Sequence, residues 1–265
     1  MAAGAPDDRS GYDTDLTDAQ WARIEPLVPA PRPGPNPFKY DRRTIVNAMI
    51  YKCRTGCSWR LLPNDFPPWE AVAKYFYQWR DDGTWERLLN HVREEARQKE
   101  GRERQPSLGI LDSQSVKTTS VGGEHGFDGG KKVKGRKRHI LVDILGFLIA
   151  VLVTTAALQD RDALPDLLRL GRRQSTRLVK VLVDGAYTGD VIRQASLETR
   201  IEVEVVKRSD CIPGFTPIPK RWVVERSFGW LNHWRQLSKE YDRTTTSSES
   251  WVRITLTNIT LRRLA

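Results

Sequence analysis

Hydrophobic periodicity changes once along this chain, near residue 100, and that change limits the folds open to it. Before it, apolar residues recur at helical spacing. Trp21, Ile24 and Leu27 share one face, and so do Ile45, Ala48, Met49 and Lys52. Val72, Ala73, Phe76 and Trp79 form a third such face. After it come short alternating or continuous apolar runs separated by turn residues and helical stretches. A chain of 265 residues buries enough apolar surface to fold without a disulfide or metal staple.

Local signals set the elements of the first half. Residues 1–15 are small, polar and aperiodic, and are expected to be disordered. Thr17 and Gln20 fit a capping box. A proline cluster from Pro26 to Pro37 reads as a linker or wrapping loop. Asp41 suits the cap of a helix that ends before Gly56, and Asp81-Asp82-Gly83 separates two further helices. Residues 16–100 are thus expected to form a small all-α N-terminal domain. Short helices joined by a tight glycine turn suit helix-turn-helix contact with DNA, against the plainer reading of an ordinary helical bundle.

Residues 107–265 read differently. Ser107–Asp112 is expected as a strand that ends in an acid. Arg138–Leu145 and Phe147–Thr154 form a hairpin around Gly146, with Asp143 in its turn. Asp160 or Asp162 then caps a helix. Leu178–Asp184 is a buried strand, a helix follows from about Asp190 to Leu197, and Ile201–Val206 is a fifth strand. A long helix runs from about Arg221 to Tyr241. This β-β-β-α-β-α-β-α order gives a mixed five-stranded sheet flanked by helices, the α/β element order of the ribonuclease H-like fold.

Three acids fall where that architecture gathers ligands. If the first and fourth strands are parallel neighbours, Asp112 and Asp184 emerge at one edge, where open α/β sheets bind ligands. Glu225 lies in the first turn of the last long helix. On a helical wheel it shares a face with Arg221 and Asn232, beside an apolar stripe of Val224, Phe228 and Leu231. Three hard oxygen ligands suit two Mg²⁺ or Mn²⁺ ions about 4 Å apart, the arrangement used for in-line displacement at phosphorus. Each acid has a plainer role as well: Asp112 and Asp184-Gly as turn formers, Glu225 as a helix-start acid. Asp143, Asp160 and Asp162 compete for the ligand role.

Charge points to a polyanionic partner. Lys and Arg outnumber Asp and Glu by ten, and the excess is concentrated. Lys131, Lys132, Lys134, Arg136, Lys137 and Arg138 place six cations in eight residues, just after Val121–Gly130 with its five glycines. A flexible loop leading into a cationic strand beside the acids would grip a phosphate backbone without reading sequence. Arg226, Arg235, Lys239 and Arg243 extend the basic character along the last helix, and Arg221 is placed to hold a phosphate or a carboxylate. Trp222, Trp230 and Trp234 interleave with these cations, as core residues or as platforms for unpaired bases. Three cysteines without a second Cys pair read as reduced thiols rather than a zinc site. No run is long and apolar enough to span a bilayer, and the acidic N-terminus lacks the pattern of a secretory signal.

Taken together, LTDAQWARIEPLVP, GCSWRLLPNDFPPWEAVAKYFYQWRDDGTWERL, ILDSQSVKTT, GKKVKGRKRHILVD, QDRD, VDGAYTG and RWVVERSFGWLNHWRQLSKEYDR resemble the bacterial insertion-sequence transposases of the DDE class, in the group built around insertion sequence five. The resemblance implies a catalytic triad of Asp112, Asp184 and Glu225 with Mg²⁺ as cofactor. It also implies cutting of the element's terminal inverted repeats, joining to target DNA, and a synaptic complex of at least two protomers in the bacterial cytoplasm at the nucleoid. Two positions depart from the wider pattern: Ile218 stands at its Tyr and Asn232 at its Lys, with Arg235 one turn on. A DNA-binding protein without catalysis and a structure-specific nuclease of the same fold are the alternatives.

Overall fold

In the computed structural model, residues 11–30, 40–206 and 222–264 are described. Helix α1 (Asp18–Ile24) starts on the Thr17–Gln20 capping box, both halves of which form. Helix α2 (Arg42–Thr55) is capped by Asp41, whose carboxylate accepts the Thr44 N–H at 2.9 Å. It ends on Gly56 at φ +69°, where a Cβ would lie 2.9 Å from Arg235 Cβ. Helix α3 (Trp69–Asp81) and helix α4 (Thr84–Lys99) are separated by Gly83 at φ +75°. The expected disorder of 1–15 does not extend to residues 11–15. They form a turn in which Tyr12 stacks on Phe66 at 5.1 Å and donates to Asp65. Residues 1–10, and most of the proline cluster, lie outside the described residues.

Six strands form one sheet: β1 (Leu108–Lys117), β2 (Gly126–Asp128), β3 (Val133–Asp143), β4 (Leu148–Thr155), β5 (Lys180–Val183) and β6 (Glu202–Val205). Strand β3 pairs antiparallel with β1 on one side and with β4 and the short β2 on the other, while β5 and β6 run parallel to β1. The five principal strands therefore lie in the order β4-β3-β1-β5-β6, the ribonuclease H-like arrangement. Helix α5 (Asp160–Gln174) and helix α6 (Asp190–Thr199) pack on the face lined by Leu111, Leu141, Val181 and Val183. Helix α7 (Trp222–Asn232) and helix α8 (Thr245–Leu264) pack on the face lined by Ile110, Ile140, Val142 and Leu182.

Several features differ from the sequence expectation. Strand β1 does not stop at Asp112 but continues five residues to Lys117. Strand β3 begins at Val133, so the cationic run is part of the sheet. The glycine-rich segment before it supplies β2, and Gly135 lets β3 cross close to β1: a Cβ there would sit 1.9 Å from the Val116 carbonyl. The long last helix breaks after Asn232 into a 3-10 turn at Arg235–Leu237, which buries Trp234 and Leu237 and brings Gln236 to Lys52. The cap of α5 is Gln159, with Asp160 and Asp162 inside the first turn.

Helix α8 carries a Ser- and Thr-rich start that gives no amphipathic signal. It is nonetheless packed into the core through Trp251, Val252, Ile254 and Leu256, and Ser250 and Thr260 satisfy their hydroxyls on carbonyls four residues back. It lies against α2, α3, α4 and β4. Phe76 stacks on Trp251 at 4.2 Å, so one hydrophobic core joins the N-terminal helices to a face of the sheet. Helix α4 is ion-paired to the hairpin turn: Arg97 meets the fully buried Asp143, which also accepts the N–H groups of Leu145 and Phe147. Among the described residues no helix is long and apolar enough to cross a membrane.

Candidate active site

The parallel pairing of β1 with β5 sets the site. Ile110 stands opposite Leu182, so two residues further along each strand Asp112 stands beside Asp184. Side chains alternate along a strand. Ile110 and Leu182 both enter the core under α7 and α8, so Asp112 and Asp184 point to that same face. Both are half-buried. Asp112 lies within β1 rather than at its end, but it still marks the point where β5 stops pairing. The Asp184 carboxylate accepts the Ala186 N–H at 2.9 Å and its carbonyl accepts from Tyr187 at 3.2 Å, a tight turn that holds the acid at the edge.

Glu225 comes from the helix that covers this face. Val223, Val224, Phe228 and Leu231 anchor α7 in the core. At its far end Asn232 accepts from Gln114 at 3.3 Å, and Gln114 shares the face of Asp112. Seven residues apart, Glu225 and Asn232 lie within about 20° on the helix, so Glu225 projects from the same side, exposed. The structure thus places Asp112 and Asp184 on neighbouring strands at one face, with Glu225 on the helix that covers that face. Among the described residues no three or more His, Cys, Asp or Glu side chains converge within reach of one metal ion. The adjacent pair of hard carboxylate donors suits a divalent cation, and Glu225 is the acid on the covering helix.

Two of the competing acids, Asp143 and Asp160, are occupied elsewhere. Asp143 is held by Arg97. Asp160 pairs with Lys137 Nζ at 3.0 Å on the opposite face of the sheet. That face carries a polar layer the sequence did not announce. His139 Nε2 lies 3.0 Å from Thr154 Oγ1, and burial pushes its imidazole down to about 4. Lys131 Nζ donates to the carbonyl and hydroxyl of Ser113, the residue after Asp112. Tyr187 is buried behind the Asp184 turn. Burial, then the carboxylates of Asp160, Asp112 and Asp184, push its phenol up, so it stays neutral. The one signal for Tyr187 was its place three residues after Asp184.

The cationic run divides. Lys131, Lys132 and Lys134 are exposed. Arg136, Lys137 and Arg138 are buried and serve the fold, which corrects their expected place on a phosphate-binding surface. Arg136 donates to the carbonyls of Glu124, Asp242 and Arg243. Arg138 pairs with Glu240 at 2.5 Å and donates to the Leu237 carbonyl. Lys137 donates to the Leu158 carbonyl beside Asp128 and Asp160. Buried cations need such partners, and these come from distant parts of the chain. Arg226 lies between the rings of Trp222 and Trp230, at 4.5 and 4.6 Å, and donates to the Leu145 carbonyl. Arg235 and Lys239 are exposed, and Trp234 is core. Arg221 and Ile218 lie outside the described residues.

Two sequence families match the chain. Residues 16–89 match the family described as "Putative transposase of IS4/5 family", and residues 103–259 match the family described as "Transposase DDE domain". Among curated relatives, "Uncharacterized protein y4sN" of Sinorhizobium fredii is 31% identical over 81 residues, covering 31% of this chain and 65% of that protein. The "Putative transposase for insertion sequence element IS402" of Burkholderia cepacia is 32% identical over 116 residues, covering 41% of this chain and 54% of that protein. The chain thus spans less than two thirds of the length of either relative. Among solved structures, the catalytic domain of Mos1 mariner transposase aligns with a TM-score of 0.35 at 13% identity, over 68% of this chain and 87% of that one. The Mos1 mariner paired end complex with Mn aligns with a TM-score of 0.33 at 12% identity, over 92% and 82%.

Proposed function

The chain belongs to the transposase DDE domain family, and from that premise we propose that it cuts DNA strands at the terminal inverted repeats of its own insertion sequence and joins the ends to target DNA. The observation that carries this reading is the placement of Asp112 and Asp184 side by side on neighbouring parallel strands, facing the helix that bears Glu225. Asp112, Asp184 and Glu225 are assigned as the residues that hold Mg²⁺ or Mn²⁺. Two such ions supply activation of the attacking hydroxyl and stabilisation of the leaving oxygen. The chain's own part is to fix the first two carboxylates on rigid strands and to bring the third from α7. Its exposed Lys131, Lys132, Lys134, Arg235 and Lys239 offer positive charge to the phosphate backbone. Arg221 and Arg226 are assigned to the same task, Arg226 through its exposed flank. Joining two ends to one target calls for at least two protomers.

The exposed position of Glu225 on the covering helix favours one second reading, a DNA-binding protein without catalysis. The two are separated with the purified chain and a labelled duplex ending in the repeats that flank its gene. The transposase reading expects Mg²⁺-dependent nicking at the repeat boundary and transfer to a second duplex. Asp112→Ala, Asp184→Ala and Glu225→Ala should each abolish both steps while leaving end binding within a few-fold. Tight binding without nicking in Mg²⁺ or Mn²⁺ would establish the second reading instead, and nicking without strand transfer would identify a nuclease.

A further inference from the structure

A cavity of about 440 Å³ lies between the N-terminal helices and the segment that links the 3-10 turn to α8. Strand β1 leads to it from the acid pair. Past Lys117, Thr118 bridges to Glu240, and the next residues, Tyr241 and Arg243, line the cavity. Six residues of extended chain put it about 20 Å from Asp112. That is about six nucleotides along a DNA strand.

Three features of its wall belong together. Trp59 forms a half-buried side, and Tyr77 and Tyr241 stand at the opening with 41% and 37% of their surface exposed. Tyr77 meets Phe76 edge to face at 5.3 Å and Trp59 packs on Phe76 and Trp251, so these rings are fixed in place, and what Tyr77 and Tyr241 leave exposed is π-surface at the mouth of the cavity. Arg243 is exposed at the lip. Arg80 lies over the Tyr77 ring at 5.0 Å but is committed to Asp81 and Ser247, so the anion-binding part falls to Arg243. The floor is a polar chain: Lys52 Nζ donates to Gln236 Oε1 at 2.9 Å, and Gln236 Nε2 donates to Asp242 Oδ2 at 3.0 Å. Lys52 and Asp242 offset each other's charge across the floor, so among the described residues the uncompensated cation is Arg243 at the lip. The floor offers Asp242 as an acceptor for a ring N–H, which sets an orientation: ring inward, phosphate at the lip.

We propose that this cavity binds a single unpaired nucleotide, its base against Trp59, Tyr77 and Tyr241 and its phosphate on Arg243. The shared chemistry is a planar heteroaromatic ring joined to a phosphate. Its source is a base turned out of a DNA strand or a free mononucleotide. The inference rests on the DNA-processing reading only for the first of these sources.

The test uses the full chain without metal. Fluorescein-labelled (dT)₁₂ is followed by anisotropy, and (dT)₁₂ carrying 5-iododeoxyuridine is photocrosslinked and mapped. Crosslinks should fall on Trp59, Tyr77 or Tyr241. Tyr77→Ala should weaken binding roughly 5- to 150-fold, the range that stacking one base on an aromatic ring is worth. Tyr77→Phe should restore it, and Arg243→Ala should weaken it and flatten its salt dependence. Competition by dTMP with the same dependence on Tyr77 would mean that the cavity accepts free nucleotides. No competition by dTMP would assign it to bases within a strand. Crosslinks confined to other sites, or Tyr77→Ala and Arg243→Ala both within twofold of the parent, would overturn the proposal. Nicking without cavity crosslinks refutes only the cavity, and cavity crosslinks without nicking refute only the catalytic reading.

Discussion

Arg138 offers a quantitative check on which cations serve the fold and which are left for DNA. Its side chain is fully buried in β3. Nε and Nη2 reach one oxygen of Glu240 at 2.7 and 2.5 Å, and Nη1 donates to the Leu237 carbonyl at 2.7 Å. Glu240 is only 2% exposed. Removing one partner of a buried pair costs about 3–5 kcal/mol. Glu240 keeps Arg136 at 3.5 Å and the Ser248 hydroxyl at 2.9 Å, so Arg138→Ala should fall near the low end, about 3 kcal/mol. For a chain of this size that lowers Tm by about 6–12 °C. Lys132→Ala and Lys134→Ala remove exposed side chains and should change stability by no more than about 0.5 kcal/mol. Each should instead reduce the slope of log K against log salt for duplex DNA by about 1. Thermal melts and salt titrations on the three variants make the comparison. An Arg138→Ala protein that melts within a degree or two of the parent, yet loses about one unit of salt slope, would refute the assignment.

Other outcomes follow from the same structure. Arg97→Ala should cost about 3–5 kcal/mol in urea unfolding, because it strands the buried Asp143 carboxylate; an unchanged urea midpoint would contradict this. His139 is held at about 4 by burial, below its unfolded value near 6.5. Between those values the unfolded chain binds a proton that the folded chain does not. The stability this group contributes is therefore complete above about pH 6.5 and is lost as pH falls to about 4, a change of about 3 kcal/mol. His139→Gln should flatten that acid limb, and an unaltered limb would show that His139 does not carry it. Burial pushes the Cys53 thiol up to about 12, so at pH 8 Cys53 should resist alkylation until the chain is unfolded. Peptide mapping that finds it modified in the native protein would count against its burial.

Features carried by neighbouring residues were readable in the sequence. The Thr17–Gln20 box, the Asp41 cap and the Gly56 stop are each local, and each appears where the residues place it. The adjacency of Asp112 and Asp184 was readable on one condition, that the strands carrying them are parallel neighbours as in a ribonuclease H-like sheet, and β1 and β5 meet it. Features carried by distant partners were not. Nothing near Arg136, Lys137 or Arg138 shows that they enter the sheet interior, since the groups that hold them are Glu240, Asp128, Asp160 and carbonyls as remote as Asp242 and Arg243. A run of cations is the usual mark of a solvated surface. Helix α8 escaped for a related reason: its inward face includes Ser247, Ser248, Ser250 and Thr257, small polar residues that fit against neighbouring elements without a periodic apolar pattern.

The central claim is that Asp184, beside Asp112, is a direct metal ligand in DNA cleavage, and a change of ligand softness tests it most directly. In Asp184→Cys a thiolate replaces a hard carboxylate, and Mn²⁺ tolerates sulfur better than Mg²⁺ does. Nicking of the terminal-repeat duplex by this variant should vanish in Mg²⁺ and return in Mn²⁺, while the parent chain works with either ion. Nicking by Asp184→Cys in Mg²⁺ at the rate of the parent would contradict the assignment of Asp184 as a ligand, and with it the account of the site.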